Sequence, residues 1–147
     1  MKKKLNSILL IDDDEATNYI HRIIIQDHGC CENIIFKYDG EAALNYLNSP
    51  TEKGFPNPDI IFLDINMPKL DGWGFLEEYQ ASSLGQDAKI IVMLTTSPNQ
   101  LDKERAERID IISEFRNKPL TSKMLDELIE KYFNEEISAP QQTTIAD

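Results

Sequence analysis

The chain has 147 residues, 41% of them hydrophobic, and 26 acidic against 15 basic side chains give it a formal net charge of -11. That length and apolar share suit one domain with a buried core and exclude disorder over most of it. The acidic balance argues against nucleic acid as a direct partner, because such a surface repels phosphate backbones.

No apolar run approaches the roughly 20 residues that a membrane span needs, so no membrane partner is expected. The opening stretch has Asn6 and Ser7 within it and runs into Asp12, which is not the pattern of a signal peptide, so a cytoplasmic location is expected. Lys2, Lys3 and Lys4 read as a solvated terminus. Residues 7–11 form a short apolar run that reads as a buried strand. Ala16, Tyr19, Ile20, Ile23 and Ile24 then recur at helical spacing, and Gly29 is placed to end that helix. His21 and His28 lie on it, and both read as partly exposed residues away from the acids, with His21 available to a partner. Cys30 and Cys31 are adjacent, match neither a redox pair nor a zinc spacing, and read as reduced bystanders.

Residues 33–37 read as the second strand. Asp39, Gly40 and Glu41 start the second helix, with Ala43, Tyr46 and Leu47 on one face. Residues 49–58 hold three prolines and a glycine and read as a loop. Residues 59–64 form the third strand, and a third helix opens at 71–74 carrying Phe75, Leu76 and Tyr79. Trp73, between two glycines, reads as packing at the start of that helix. Residues 89–94 form the fourth strand. Ser97, Pro98, Asn99 and Gln100 have the pattern of a capping box with Ser97 as N-cap, opening a weakly apolar helix with Leu101 and Ile109. Residues 111–116 read as the fifth strand. Thr121 caps a last helix with Leu125, Leu128, Ile129 and Tyr132 on its face. One domain over 1–134 and a flexible tail over 135–147 are expected.

Five strand–helix pairs with near-continuous apolar strands predict an α/β fold, a five-stranded parallel sheet covered on both faces in three layers. Ligands of such sheets bind beyond the carboxyl ends of the strands. Strand one ends in Asp12, Asp13 and Asp14, and Asp14 is also placed to cap the helix that follows. Strand three ends in Asp64 and strand four in Thr95 and Thr96, while strand five is followed by Asn117, Lys118 and Pro119. Carboxylates so grouped repel one another unless a cation sits among them, and an all-oxygen set without His or Cys favours a hard cation such as Mg²⁺. A carboxylate shielded in this way can attack phosphorus, and Thr95 and Lys118 can serve the phosphoryl oxygens.

These residues lie in four motifs: ILLIDDD around Asp12 and Asp13, DIIFLDINMPKLDG around Asp64, IVMLTTS around Thr95, and FRNKPL around Lys118. With them the chain resembles the receiver domain of bacterial two-component response regulators over residues 7–133. The likeness is to chemotaxis-regulator-like single receivers of the flavodoxin-like doubly wound fold. The resemblance implies that Asp64 is the phosphoacceptor, that Asp13 and Asp64 ligate Mg²⁺ with the backbone carbonyl of Asn66, and that Asp12 acts through water. It implies that Thr95 hydrogen-bonds the phosphoryl group, that Lys118 pairs with it, that the Lys118–Pro119 bond is cis, and that Thr95 and Phe115 form a switch. It further implies a sensor histidine kinase or histidine phosphotransfer protein as donor, self-phosphorylation and autodephosphorylation rather than enzymatic turnover, and signalling by phosphorylation-dependent protein binding without an output domain. The downstream protein is unknown, and a monomer or weak homodimer is expected.

A phosphorelay intermediate or phosphate sink stands as the alternative. A phosphatase of the haloacid-dehalogenase type would want a second Asp where Asn66 stands. A flavodoxin-like flavin or nucleotide binder would want a Ser/Thr/Gly-rich loop where the three acids stand. A receiver that works without phosphorylation would not require the full set of acids, hydroxyl and lysine. The chain departs from the family pattern in the polar fifth strand with Glu114, Arg116 and Asn117, in the approach to it over 108–113, in the long 49–58 loop, and in Thr96.

Overall fold

Strands that are apolar on both faces must be covered on both faces, and alternate residues then divide between two cores. The computed structural model describes residues 4–82, 88–96 and 99–137, the side chains of 134–137 excepted. Within them the elements alternate: β1 (Leu5–Ile11), α1 (Glu15–His28), β2 (Cys31–Lys37), α2 (Gly40–Leu47), β3 (Ile60–Asp64), α3 (Gly72–Ala81), β4 (Ile90–Thr95), α4 (Gln100–Glu107), β5 (Glu114–Asn117) and α5 (Ser122–Ile137). The strands pair in parallel in the order β2-β1-β3-β4-β5. Ile8, Leu10, Ile60, Phe62, Val92 and Leu94 pack with Ile25 of α1 and Leu125 and Leu128 of α5. The intervening Leu9, Ile11, Ile61, Leu63, Ile91 and Met93 pack with Ala43, Phe75, Leu76 and Ala106 of α2, α3 and α4. The expected three-layer α/β architecture is therefore the one observed.

Helix starts follow the side chains that can accept an orphan N–H. Asp39 accepts from Ala42 at 2.7 Å, Asp71 from Gly74 at 2.8 Å, and Thr121 from Met124 at 3.1 Å. Gly29 ends α1 in the left-handed region at φ 79°, its N–H donating to the Ile25 carbonyl. Ser97 and Pro98 lie outside the described residues, and the cap seen on α4 is Asn99, which accepts from Asp102 at 2.8 Å. Asp14 occupies the N-cap position of α1, but its carboxylate accepts the Thr17 hydroxyl at 2.6 Å in place of a backbone N–H.

Three readings of the sequence require correction. The interior face of α1 is Asn18, His21 and Ile25, whereas Tyr19 and Ile20 are exposed. The apolar spacing misleads there because two polar side chains turn inward to backbone groups that need partners. On α4 the buried residue is Ala106 and Leu101 is exposed, while Ile109 lies beyond the helix and packs on the core from the following turn. β5 begins at Glu114 rather than at 111, because Ile111 and Ile112 reach the core from a turn. In addition, α5 runs to Ile137, past the boundary placed at 134. Lys2, Lys3 and residues 138–147 lie outside the described residues.

The polarity of β5 has a physical cause. It is an edge strand, and its Glu114 carboxylate receives Lys131 Nζ at 2.7 Å, Tyr132 Oη at 2.7 Å and Arg116 Nε at 3.1 Å, while Arg116 also reaches Glu127 at 2.9 Å. Burial pushes the Glu114 carboxyl upward, but these hydrogen bonds outweigh it and hold the group below its ordinary range. The network ties β5 to α5 through charges that would otherwise lie unpaired on the sheet edge.

One glycine decides how the third strand leaves the sheet. The Gly72 N–H donates to the Ile65 carbonyl at 2.8 Å, and a Cβ at Gly72 would stand 2.6 Å from the Asp64 carbonyl oxygen and 2.9 Å from Ile65 Cα. Those neighbours are backbone and cannot turn aside. Gly72→Ala is expected to destabilise the fold by about 1–3 kcal/mol, as other overpacking substitutions do. Urea unfolding of the two proteins measures this.

Candidate functional site

Register brings the candidate residues to one edge. Ile11 pairs with Leu63, Asp64 with Leu94 and Thr95 with Asn117, so Asp12, Asp64, Thr95 and Lys118 all emerge at the carboxyl end of the sheet. One carboxylate oxygen each from Asp12, Asp13 and Asp64 lies within 4.8 Å of the others. Asp12 and Asp64 are buried and Asp13 is exposed, so the cluster opens to solvent on the Asp13 side.

Lys118 Nζ lies 2.5 Å from Asp12 Oδ2 and 3.1 Å from Asp64 Oδ1, bridging the two buried acids. Burial disfavours the Lys118 ammonium, but the two carboxylates outweigh that and raise its pKa, so it stays charged. Three carboxylates against one ammonium leave the site short of positive charge. Asp64 bears the consequence: burial first, and then the Asp12 and Asp13 charges, lift its pKa to about 6 against the pull of Lys118. Such an oxygen set with surplus negative charge is chemically suited to a hard cation.

Local backbone contacts fix these side chains. Asp12 Oδ1 accepts the Asp14 N–H at 3.0 Å, which orients its carboxylate. The Lys118 N–H donates to the Thr95 carbonyl at 2.8 Å, which extends β5 pairing up to the lysine. The Lys118–Pro119 bond is cis. After β3, Asn66 is exposed between buried Ile65 and Met67. Lys69 takes φ 67° while the Leu70 N–H donates to the Pro68 carbonyl at 2.8 Å, a γ-turn that returns the chain to Asp71 and α3. Thr95 is buried at the end of β4, whereas Thr96 is exposed and lines a groove of about 210 Å³ with Thr17, Ile20, His21, Lys118 and Pro119. Phe115 is half-buried, opposite Met93, on the α2–α3–α4 side of the sheet.

Several residues stand apart from the acids. Trp73 is buried at the start of α3, with Arg105 of α4 stacked 4.4 Å from its ring. Cys30 and Cys31 are free and buried, and burial pushes their thiols up to about 11 and about 12. His28 Nε2 lies 2.7 Å from Asp126 Oδ1, joining α1 to α5. The sequence reading missed Asn18 and misplaced His21. Asn18 Nδ2 donates to the Asp12 carbonyl at 2.9 Å, and buried His21 accepts the Leu120 N–H at 3.2 Å. Their spacing with Ile25, at i, i+3 and i+7, was the available signal; two polar residues on that stripe obscured it.

A family model described as response regulator receiver domain matches residues 8–130. The chain is 35% identical over 98 residues to the response regulator Rcp1 of Synechocystis sp., covering 65% of each chain. It is 30% identical over 124 residues to a probable methanogenesis regulatory protein, FilR2, of Methanothrix harundinacea, covering 84% of this chain and 79% of that one. Among solved structures, a two-component response regulator from Cytophaga hutchinsonii superposes with a TM-score of 0.82 at 34% identity, over 90% of this chain and all of that one.

The Asp64 shift has a consequence for stability. Its pKa in the fold lies above the ordinary 3.8, so its ionised form costs stability above about pH 6, and that cost disappears as the pH falls toward 4. In chelator at pH 7.5, Asp64→Asn is expected to be more stable than the unsubstituted protein by about 1–3 kcal/mol. The difference should shrink as the pH falls from 6 to 4, as read by urea unfolding across that range.

Proposed function

The chain belongs to the response regulator receiver domain family, and on that premise we propose that Asp64 takes a phosphoryl group from a phosphohistidine of a histidine kinase or histidine phosphotransfer protein. The observation that carries this reading is the Lys118 ammonium held between the Asp12 and Asp64 carboxylates at the open end of the sheet. A receiver is a signalling module whose acceptor is consumed and regenerated, not an enzyme that turns over a small substrate.

The transfer balances simply. An Asp64 carboxylate oxygen forms a bond to phosphorus, the phosphorus–nitrogen bond to the donor imidazole breaks, and the imidazole leaves with that electron pair and takes a proton. Asp64 carries an acyl phosphate afterwards. Lys118 already reaches one Asp64 oxygen and supplies positive charge to the transferring group. Thr95, buried one position past the residue paired with Asp64, would donate its hydroxyl to a phosphoryl oxygen. Asp13, Asp64 and the Asn66 backbone carbonyl would hold Mg²⁺, with Asp12 acting through water. When bound, that ion neutralises charge on the carboxylates and phosphoryl oxygens.

Phosphorylation replaces a carboxylate with a group of more charge and more acceptor oxygens. Thr95 is the one hydroxyl residue on β4, and Phe115 sits on the neighbouring β5, half-buried. Thr95 and Phe115 thus form the switch in this reading, and the surface of α4, β5 and α5 is what a downstream protein binds.

Incubation with acetyl phosphate and Mg²⁺, followed by intact mass measurement, tests the proposal. One phosphate per chain is the expected gain, absent in Asp64→Asn and absent with chelator. An unmodified wild-type chain, or Asp64→Asn that still gains one phosphate, would overturn it.

A further inference from the structure

The interior face of α1 carries two polar side chains, and neither faces solvent. Asn18 is 1% exposed and His21 3%. Burying such groups is costly unless each finds a partner. Each finds a backbone group beside the site: Asn18 Nδ2 donates to the Asp12 carbonyl at 2.9 Å, and the Leu120 N–H donates to His21 Nε2 at 3.2 Å. Three residues apart, the two side chains lie on the same face of one helical turn.

What they hold are the two carriers of one ion pair. Asp12 supplies a carboxylate to Lys118 Nζ at 2.5 Å, and Leu120 lies two residues beyond Lys118. The segment from Lys118 to Leu120 has few ways to be fixed. The Lys118 N–H is taken by the Thr95 carbonyl, and Pro119 has no N–H. The Leu120 N–H is therefore the remaining backbone donor of the three, and His21 takes it. Burial holds the His21 pKa below its ordinary value, which keeps the ring neutral and Nε2 able to accept. Asn18 and His21 also line, with Asp12 and Asp64, a cavity of only about 10 Å³, so the helix is packed closely beneath the two buried acids.

We propose that Asn18 and His21 are positioning residues for phosphoryl transfer: one turn of α1 fastens the end of β1 and the β5–α5 loop, and so sets Lys118 Nζ over Asp64. This rests on Asp64 being the phosphoacceptor. The hydrogen bond of His21 goes to the Leu120 N–H and not to a carboxylate, so its contribution passes through the placement of Lys118.

The test compares His21→Leu, which removes the acceptor, with His21→Gln, whose Oε1 can take the place of Nε2. Three quantities are read: the phosphorylation rate at saturating acetyl phosphate, the Mg²⁺ concentration giving half that rate, and hydrogen exchange at the Leu120 amide. His21→Leu is expected to lower the maximal rate about tenfold or more, as loss of alignment does. It should leave the Mg²⁺ dependence unchanged and speed Leu120 exchange, and His21→Gln should restore both rate and protection. A residue that serves only stability would shift the unfolding midpoint without this split. If His21→Leu fails to fold, His21→Asn, which keeps an amide but falls short of Leu120, replaces it with the same expectations. A wild-type maximal rate in the variant lacking the acceptor would overturn the inference, as would a His21→Gln as slow as that variant. If the wild-type chain takes no phosphate at Asp64, the phosphoacceptor reading fails and the inference with it. Leu120 exchange unaltered by loss of the acceptor sinks the clamp on its own, whatever the phosphorylation result.

Discussion

The site depends on one ammonium shared by two buried carboxylates. Lys118 Nζ reaches Asp12 and Asp64 at once, and neither acid would sit comfortably in the sheet edge without it. Its single charge does not balance Asp12, Asp13 and Asp64 together. Burial and the neighbouring acids therefore leave Asp64 harder to ionise than an ordinary aspartate. The same surplus that costs stability makes the cluster receptive to a cation and to a phosphoryl group that arrives with one. A site of this kind is kept by function at the expense of stability, because buried charges of one sign are poor building material.

The rest of the fold exists to hold that arrangement. Two apolar layers clamp the sheet from both sides, so the register between strands is specified where the acids emerge. Gly72 lets α3 start directly against the end of β3, close enough that its N–H bonds to the Ile65 carbonyl. The Thr95 carbonyl fixes Lys118 from the β4 side, and α1 reaches the same loop from the other. Away from the acids, the Glu114 network braces β5 against α5.

Much of this was legible in the sequence, for identifiable reasons. Runs such as Ile60 to Leu63 have no polar face, which only a covered strand tolerates, and the acids after them mark the carboxyl edge where ligands of parallel sheets bind. The cluster of Asp12, Asp13 and Asp64 with Lys118 followed from that rule together with the motifs. What was not legible turns on tertiary partners. Tyr19 and Ile20 have the right spacing for a core face yet lie outside, because Asn18 and His21 find backbone groups that a one-dimensional pattern does not contain. Ile111 and Ile112 mimic a strand but pack from a turn. Leu101 has an apolar side chain on a helix whose contact with the body runs through Ala106 and the Arg105 stack on Trp73. In each case local composition pointed one way and a distant group decided the outcome.

The proposed function requires that the acyl phosphate form on Asp64 and on neither neighbouring acid. Borohydride reduces an aspartyl phosphate to homoserine, so the chain phosphorylated in Mg²⁺, trapped with borohydride, digested and sequenced by mass spectrometry reports the acceptor directly. Homoserine is expected at position 64, with Asp12 and Asp13 intact. Homoserine at position 12 or 13, or phosphate incorporated with none at 64, would contradict it.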